Sequence, residues 1–111
     1  MTNIVNYKRI SNICDLFEHQ LKKNPNHKFL FSIKKNKWEG KTYKELSENI
    51  SKVIYFFKKR GVRSGDRILL ISDNRIEWFI FDIAIMSLGA ITVPCFSTNN
   101  VTDNKFIIED C

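Results

Sequence analysis

The chain has 111 residues, of which 43% are hydrophobic and 27% are charged, and its formal net charge is +6. This composition is typical of globular proteins and excludes disordered, collagen-like and low-complexity chains. A chain of this length can form one small domain at most. Its three cysteines, Cys14, Cys95 and Cys111, follow no zinc or redox spacing. We therefore expect neither a metal site nor a disulfide framework, and we expect a reducing, cytoplasmic compartment.

The sequence offers no targeting or membrane-spanning segment. Residues 1–10 alternate polar and apolar side chains and lack the apolar core of a signal peptide. The most apolar stretch, residues 68–96, is interrupted by four charged side chains: Asp73, Arg75, Glu77 and Asp82. These charges argue against a transmembrane helix. Peripheral contact with the inner face of a membrane is left open.

The charge is unevenly distributed. Residues 1–67 hold sixteen of the eighteen Lys and Arg residues but only six of the twelve Asp and Glu residues. A basic half of this kind can meet nucleic acid or an anionic surface. The simpler interpretation is a set of solvated cations, since they concentrate in a predicted turn at residues 34–37 and at a predicted helix end at residues 58–60. We favour this second interpretation.

The first elements in chain order are an arm, a helix and a hairpin. After an N-terminal arm at residues 1–11, a helix is predicted to begin behind the N-cap Asn12. It should end near Asn24, because Pro25 disfavours helical geometry in the residue before it. A strand at residues 29–33, a turn at 35–37 and a returning strand at 37–41 then predict a β-hairpin.

The clearest local signal is a long amphipathic helix at residues 43–60. Thr42 and Glu45 have the spacing of a capping box, in which each side chain accepts a hydrogen bond from the other residue's backbone. Gly61 can supply the left-handed position that follows a helix. One apolar stripe runs along the helix and comprises Tyr43, Leu46, Ile50, Val53, Ile54 and Phe57.

A βαβ unit follows, with a strand at residues 67–72, a helix at 75–88 and a strand at 90–93. The strand at 67–72 is apolar on both faces and therefore predicts parallel pairing. The helix is apolar nearly all round, since its polar residues Glu77, Asp82 and Ser87 do not share one face. We expect a chain of 111 residues to leave some sides of this helix exposed.

The chain closes with a helix through residues 106–108, for which Thr102 or Asp103 is the predicted cap. No C-cap glycine or polar tail follows. We interpret the sequence as a fragment of a larger protein.

The residues offer no assembled chemistry. The four glycines form neither a dinucleotide fingerprint nor a Walker loop. His19 and His27 lack a patterned partner and are interpreted as structural or solvated. Cys95 is either an exposed thiol or a small core residue. The segment of Glu77, Trp78 and Asp82 marks either a pocket or a buried helix. No catalytic, cofactor-binding or metal-binding residue is predicted.

Four short motifs nevertheless occur in order. They are Thr42-Tyr43-x-Glu45-Leu46, Gly61-Val62-x-x-Gly65-Asp66-Arg67-Ile68, Ser72-x-Asn74-Arg75-x-Glu77-Trp78 and Ala84-x-x-x-x-Gly89-Ala90-x-x-Val93-Pro94. A fifth, Thr98-Asn99-x-x-Thr102 with Phe106-Ile107-Ile108-Glu109-Asp110, follows them. Together they resemble the N-terminal part of AMP-forming acyl-CoA synthetases, and in particular the long-chain fatty acid–CoA ligase branch of the adenylate-forming superfamily. The resemblance spans residues 12–111.

The resemblance implies an α/β fold. The chain would be the N-terminal fragment of a large adenylate-forming ligase domain, with a short β-hairpin and a parallel βαβ unit flanked by helices. Residues 12–111 would be an incomplete AMP-binding domain, and its partner would be the remainder of that domain, on the same or a separate chain.

The resemblance also implies a reaction. Complete enzymes of this family convert a fatty acid, ATP and coenzyme A to acyl-CoA, AMP and pyrophosphate, with Mg. Their phosphate loop, adenine and ribose motifs and C-terminal lysine have no counterpart here, so the chain is expected to be inactive alone and no site residue is carried over.

The alternative is a free-standing basic module that binds nucleic acid or an acidic protein. The all-round apolar helix argues against it, because a stand-alone module should cover its own helices. We expect no specific nucleic-acid partner.

Overall fold

A computed structural model describes residues 9–111, which form four helices and four strands. Of the predicted arm, residues 1–8 lie outside the described residues. The elements in chain order are α1 (Ile13–Lys23), β1 (Lys28–Lys34), β2 (Lys37–Thr42), α2 (Tyr43–Lys59), β3 (Arg67–Ile71), α3 (Ile76–Ser87), β4 (Ile91–Cys95) and α4 (Val101–Asp110). The predicted α/β class is confirmed.

The first helix and the hairpin form as their local sequences predict. The side-chain oxygen of Asn12 accepts the Asp15 N–H at 2.9 Å and begins α1, which ends at the C-cap Asn24. Strands β1 and β2 pair antiparallel across a two-residue turn. Lys35 and Asn36 form that turn with φ of 48° and 60°, the left-handed geometry that matches the twist of a hairpin.

The capping box of α2 is present in full. The Glu45 N–H donates to the Thr42 hydroxyl oxygen at 3.1 Å, and the Thr42 N–H donates to the Glu45 carboxylate at 2.8 Å. This backbone hydrogen bond is the main reason why the pKa of Glu45 lies below its ordinary value, and the charge of Lys41 lowers that pKa further. Gly61 follows the C-cap with φ of +81°, as predicted.

Helix α3 lies at the centre of the molecule. It contacts α1, α2, β1, β3 and β4, and it carries four buried residues: Ile80, Ile83, Ala84 and Ile85. Every apolar side chain of α3 is at least half-buried. The expectation that this helix would keep exposed apolar sides is therefore wrong, because neighbours surround it on several sides.

The parallel pair β3–β4 completes the predicted βαβ unit. The second strand covers Ile91–Cys95 and not residues 90–93, and Pro94 pairs with Leu70 in the ladder. Gly89, with φ of +72°, ends α3 and brings the chain close to Ser64 before β4 begins.

The cap of the last helix differs from the prediction. Asn100, and neither Thr102 nor Asp103, is the N-cap of α4. Its side chain accepts the Asp103 N–H at 2.8 Å, and the Asp103 carboxylate accepts the Asn100 N–H. Asp103 therefore occupies the third helical position of a capping box.

Burial is concentrated on one side of the fold. The core cluster comprises Phe17, Tyr43, Leu46, Ile50, Ile80, Ile83 and Ala84. No residue of β3 or β4 is buried, and α4 has no buried residue either. Within residues 9–111, no helix combines the length and apolar character that crossing a bilayer demands.

Removing the cap of α2 should destabilise the fold. Replacing Thr42 with Ala deletes the acceptor for the Glu45 N–H, and we expect a loss of about 1 kcal/mol in the free energy of unfolding. Ser51→Ala is the control, because Ser51 is exposed inside the same helix and Ala is a good helix former. Urea unfolding followed by circular dichroism measures both variants. Equal midpoints for them would contradict the prediction.

The same cap should make stability depend on pH. Because folding lowers the pKa of Glu45, its contribution is complete above the ordinary Glu pKa and is lost as pH falls through the lowered value. The stability difference between wild type and Glu45→Gln should therefore shrink in acid, as measured by urea midpoints between neutral and acidic pH. A difference that does not change with pH would count against this role.

Gly89 should tolerate alanine less well than Gly61. Both have a positive φ, which costs an alanine about 1–2 kcal/mol. A Cβ at Gly61 meets no atom within 4 Å, whereas a Cβ at Gly89 lies 2.7 Å from the Ser64 hydroxyl oxygen. Gly89→Ala should therefore lower the urea midpoint more than Gly61→Ala does. When Ser64 is also replaced with Ala, the difference in urea midpoint between Gly89→Ala and Gly61→Ala should become smaller. An unchanged difference would refute the steric explanation.

Candidate functional site: the cleft at the carboxyl ends of the parallel strands

An open cleft of about 550 Å³ lies where the two parallel strands end. The chain leaves β3 at Ser72 and leaves β4 at Phe96, and parallel pairing brings both exits to the same edge of the sheet. Ligands of open α/β sheets bind outside the carboxyl ends of the strands. The lining residues are Ser72, Asp73, Asn74, Trp78, Pro94, Cys95, Phe96, Ser97 and Thr98.

One hydrogen bond to Asp73 ties the two loops of the cleft together. The Ser97 hydroxyl, from the loop after β4, donates to the Asp73 carboxylate in the loop after β3. The Ser72 hydroxyl donates to the Asp73 backbone oxygen at 2.9 Å. The Asp73 side chain thus fixes the loop after β4 relative to the loop after β3.

Helix α3 supplies the aromatic wall. Trp78 lies in its first turn and is half-buried. No side chain caps this helix, whose N-cap is Arg75. Instead, the Arg75 guanidinium donates to the Glu77 carboxylate at 3.1 Å. A hydrogen bond from its own backbone N–H is the main reason why the pKa of Glu77 is lowered, and the charge of Arg75 adds to that effect.

The cleft can orient a ligand through hydroxyls, one amide and one carboxylate. No Lys, Arg or His is among its lining residues, and Asp73 is the one acidic residue in the lining. In the part of the chain that the structure describes, no group of three His, Cys, Asp or Glu side chains could hold a metal ion. The lining therefore holds one hydroxyl–carboxylate pair, Ser97 and Asp73, and lacks a cation that would face phosphate.

The structure resolves the alternatives that the sequence left open at several residues. Trp78 and Cys95 line the cleft, and the Cys95 thiol is half-buried. Glu77 is exposed at the start of α3, while Asp82 is half-buried on the same helix and does not line the cleft.

Both histidines lie outside the cleft. The Nε2 atom of His19 is buried and makes no hydrogen bond within residues 9–111. The His27 ring stacks on Tyr43 with their centroids 6.2 Å apart.

The sequence reasoning did not single out Ser72, Asp73, Ser97 or Thr98 as a group. Their positions in the sequence could have revealed them, since these polar residues directly follow two strands that were predicted to be parallel. Because parallel strands end at one edge, their next residues meet there.

The basic residues of the hairpin turn and of the end of α2 are exposed. Lys34, Lys35 and Lys37 are exposed around the hairpin turn, and Lys58, Lys59 and Arg60 are exposed at the end of α2. Two of them cover exposed aromatic rings: the Lys59 ammonium lies 5.0 Å from the Tyr55 ring centre, and the Arg60 guanidinium lies 4.9 Å from the Phe56 ring centre.

Comparison with solved structures identifies the fold. The chain matches a fatty acid AMP ligase from Legionella pneumophila with a TM-score of 0.85 and 19% identity, over 98% of this chain and 20% of that one. It matches the N-terminal subdomain of Klebsiella oxytoca NpsA with a TM-score of 0.80 and 22% identity, over 90% of this chain and 25% of that one. The fold is therefore that of part of an adenylate-forming ligase, as predicted.

Sequence comparison identifies the family. The chain is 30% identical over 95 residues to a long-chain-fatty-acid–CoA ligase, FadD15 of Mycobacterium tuberculosis, a match that covers 86% of this chain and 16% of the relative. The family model described as AMP-binding enzyme matches residues 17–111. The chain thus belongs to the AMP-binding enzyme family, in which its relatives include long-chain fatty acid–CoA ligases.

Proposed function

We propose that the chain is the N-terminal structural segment of an ATP-dependent, AMP-forming fatty acid–CoA ligase and is inactive alone. The complete enzyme joins a fatty acid to coenzyme A and releases AMP and pyrophosphate. Residues 12–111 form an incomplete AMP-binding domain, and residues 1–11 form an arm that precedes it. The proposed location is the cytoplasm, where the free thiols of Cys14, Cys95 and Cys111 persist.

One observation carries this proposal. The family match extends over residues 17–111, yet the chain spans only 16% of the FadD15 ligase. The described residues supply helices, a hairpin and a parallel strand pair, and their cleft is lined by hydroxyls, the Cys95 thiol and the Asp73 carboxylate but by no Lys, Arg or His. A segment of this family whose cleft offers no cation to phosphate supports a structural role.

The cleft does not fit ATP with Mg. A triphosphate needs backbone N–H groups of a glycine-rich loop or cationic side chains, and the lining contains neither. Mg is bound through carboxylates together with substrate phosphate oxygens, so a cleft whose lining offers the triphosphate no cation does not bring those phosphate oxygens to Asp73. We therefore assign the binding of ATP, Mg and coenzyme A to the remainder of the enzyme.

The loose packing of the described residues supports the proposal that the rest of the ligase domain packs against them. The radius of gyration is 15.9 Å, whereas a compact domain of this size has about 13 Å. Large apolar side chains are exposed on the hairpin, the parallel strands and α4, including Trp38, Ile71, Ile91 and Phe106. Exposed apolar surface of this kind marks interaction surfaces. Its partner is the rest of the ligase domain.

The isolated chain should not catalyse adenylation. With oleate or a shorter fatty acid, ATP and Mg, we expect no ATP–pyrophosphate exchange above background, because no cation lines the cleft to meet the phosphates. The full-length FadD15 ligase is the positive control. ATP–pyrophosphate exchange by the isolated chain would overturn the proposal if a substitution within the chain, such as Asp73→Asn, abolished that exchange.

The isolated chain should also fold weakly. We expect a broad thermal transition by circular dichroism and self-association by size-exclusion chromatography, because no residue of the parallel sheet is buried. Supplying the rest of a ligase domain should sharpen the transition and suppress the self-association. A sharp transition from a monomer would contradict the fragment interpretation.

A further inference from the structure

The outer face of α2 takes no part in the core. The buried residues of this helix, Tyr43, Leu46 and Ile50, belong to the cluster that α1 and α3 complete. Because an α-helix turns by about 100° per residue, Tyr55 lies on the side opposite this buried stripe. Tyr55 is 61% exposed, and the neighbouring Phe56 is 48% exposed. Two aromatic rings of the last turns of α2 are therefore open to solvent.

Cations surround these two rings, and no acidic residue occurs beside them in the sequence. Residues 49–65 contain five Lys or Arg residues and no Asp or Glu. Within residues 9–111, none of the five takes part in an ion pair. The α2 patch is defined here by five exposed residues: Lys52, Tyr55, Phe56, Lys59 and Arg60.

The geometry of the α2 patch suits an interface between water and lipid. The Lys59 ammonium lies over the Tyr55 ring and the Arg60 guanidinium lies over the Phe56 ring. At a bilayer surface, aromatic rings lie at the headgroup level, while long cationic side chains extend along them and keep their charge in the polar layer. Anionic phospholipids would therefore complement both the charge and the rings of the patch.

Single-stranded nucleic acid matches the α2 patch less well. Proteins that bind such strands stack successive bases on the open faces of aromatic rings. Here one face of each ring is already covered by the cation of a neighbouring residue. The observations therefore favour a lipid surface.

The hairpin turn is the other basic surface of the chain, and it differs in two ways. The Lys34 ammonium lies 3.6 Å from the Glu39 carboxylate, so part of the charge of the hairpin is neutralised. The exposed Trp38 belongs to the apolar surface that the proposed function assigns to the rest of the ligase domain. The hairpin therefore supplies matched controls for the α2 patch.

We propose that the α2 patch is a docking surface for an anionic phospholipid membrane. Helix α2 lies along the membrane, and Tyr55 and Phe56 reach the boundary between headgroups and acyl chains. The three cations of the patch contact the lipid phosphates, so the binding is reversible and weakens as salt rises. This inference goes beyond the proposed function, because it needs the surface of α2 and no step of the ligase reaction.

Vesicle flotation with the full chain tests the proposal. Vesicles carry bound protein upward in a density gradient, whereas aggregated protein sinks, so self-association cannot imitate binding. We expect the chain to float with vesicles of phosphatidylcholine that contain roughly one third phosphatidylglycerol, and not with vesicles of phosphatidylcholine alone. Equal flotation with both kinds of vesicle, or flotation with neither, would overturn the proposal.

Two triple variants of equal charge locate the surface. One combines Lys52→Gln, Lys59→Gln and Arg60→Gln, and the other makes the same change at the exposed residues Lys34, Lys35 and Lys37. We expect the α2 variant to lose at least about tenfold in affinity for the anionic vesicles and the hairpin variant to lose less than about threefold. Equal losses would show an effect of net charge alone and would overturn the assignment to α2.

A pair of aromatic variants keeps every charge and serves as a second test if the triple variants do not fold, which circular dichroism would show. Tyr55→Ala together with Phe56→Ala should lower the affinity for anionic vesicles by about tenfold. Trp38→Ala is the control, since Trp38 is 72% exposed on the hairpin, and should lower it by less than about threefold. Binding by the double variant that equals binding by the wild type would contradict the role of the rings.

A nucleic-acid competitor separates the two kinds of anionic partner. A single-stranded oligonucleotide should not release the chain from anionic vesicles at an equal concentration of phosphate. Release of the wild-type chain, together with weaker oligonucleotide binding by the α2 triple variant, would assign the patch to nucleic acid and overturn the proposal.

Discussion

Four aromatic rings, one from each of four elements, hold the described fold together. Phe17 of α1 lies 5.7 Å from Tyr43 of α2 and 5.9 Å from Phe79 of α3, measured between ring centres. Phe29 of β1 stacks on Tyr43 at 4.7 Å and meets Phe79 edge-on at 5.6 Å. Each such pair adds about 0.5–1.5 kcal/mol to the burial of its surface. Burial of the Tyr43 ring also raises the pKa of its hydroxyl.

The cluster explains why the hairpin sits where it does. A two-stranded hairpin is marginal in water, so β1 and β2 need an anchor. Phe29 provides it with side-chain contacts, and two backbone bonds reinforce it: Tyr43 N–H donates to the His27 oxygen at 3.2 Å, and Lys44 N–H donates to the Pro25 oxygen at 2.9 Å. The first turn of α2 is thereby fixed to both ends of the α1–β1 connection. The outer residues of the hairpin, including Trp38, stay exposed.

The sequence predicted best those features that are decided locally. The Thr42–Glu45 capping box and the positive φ of Gly61 depend on a few neighbouring residues, and both are present. The cap at Asn100 was misassigned because neighbouring polar residues can all cap a helix, and the choice depends on where the chain leaves β4. The burial of α3 was underestimated because periodicity describes one helix and not the elements around it. Predicting the cleft would have required combining the expected parallel pairing of β3 and β4 with the rule that parallel strands end at the same edge of a sheet.

The position of the cleft explains why only a few loops shape it. A crevice at the carboxyl ends of parallel strands is shaped by the loops of every strand that ends there. With two strands, two loops meet, and the Asp73–Ser97 hydrogen bond joins them directly. Because Asp73 lies in the loop after β3 and Trp78 lies in the first turn of α3, these two side chains fix one wall of the cleft.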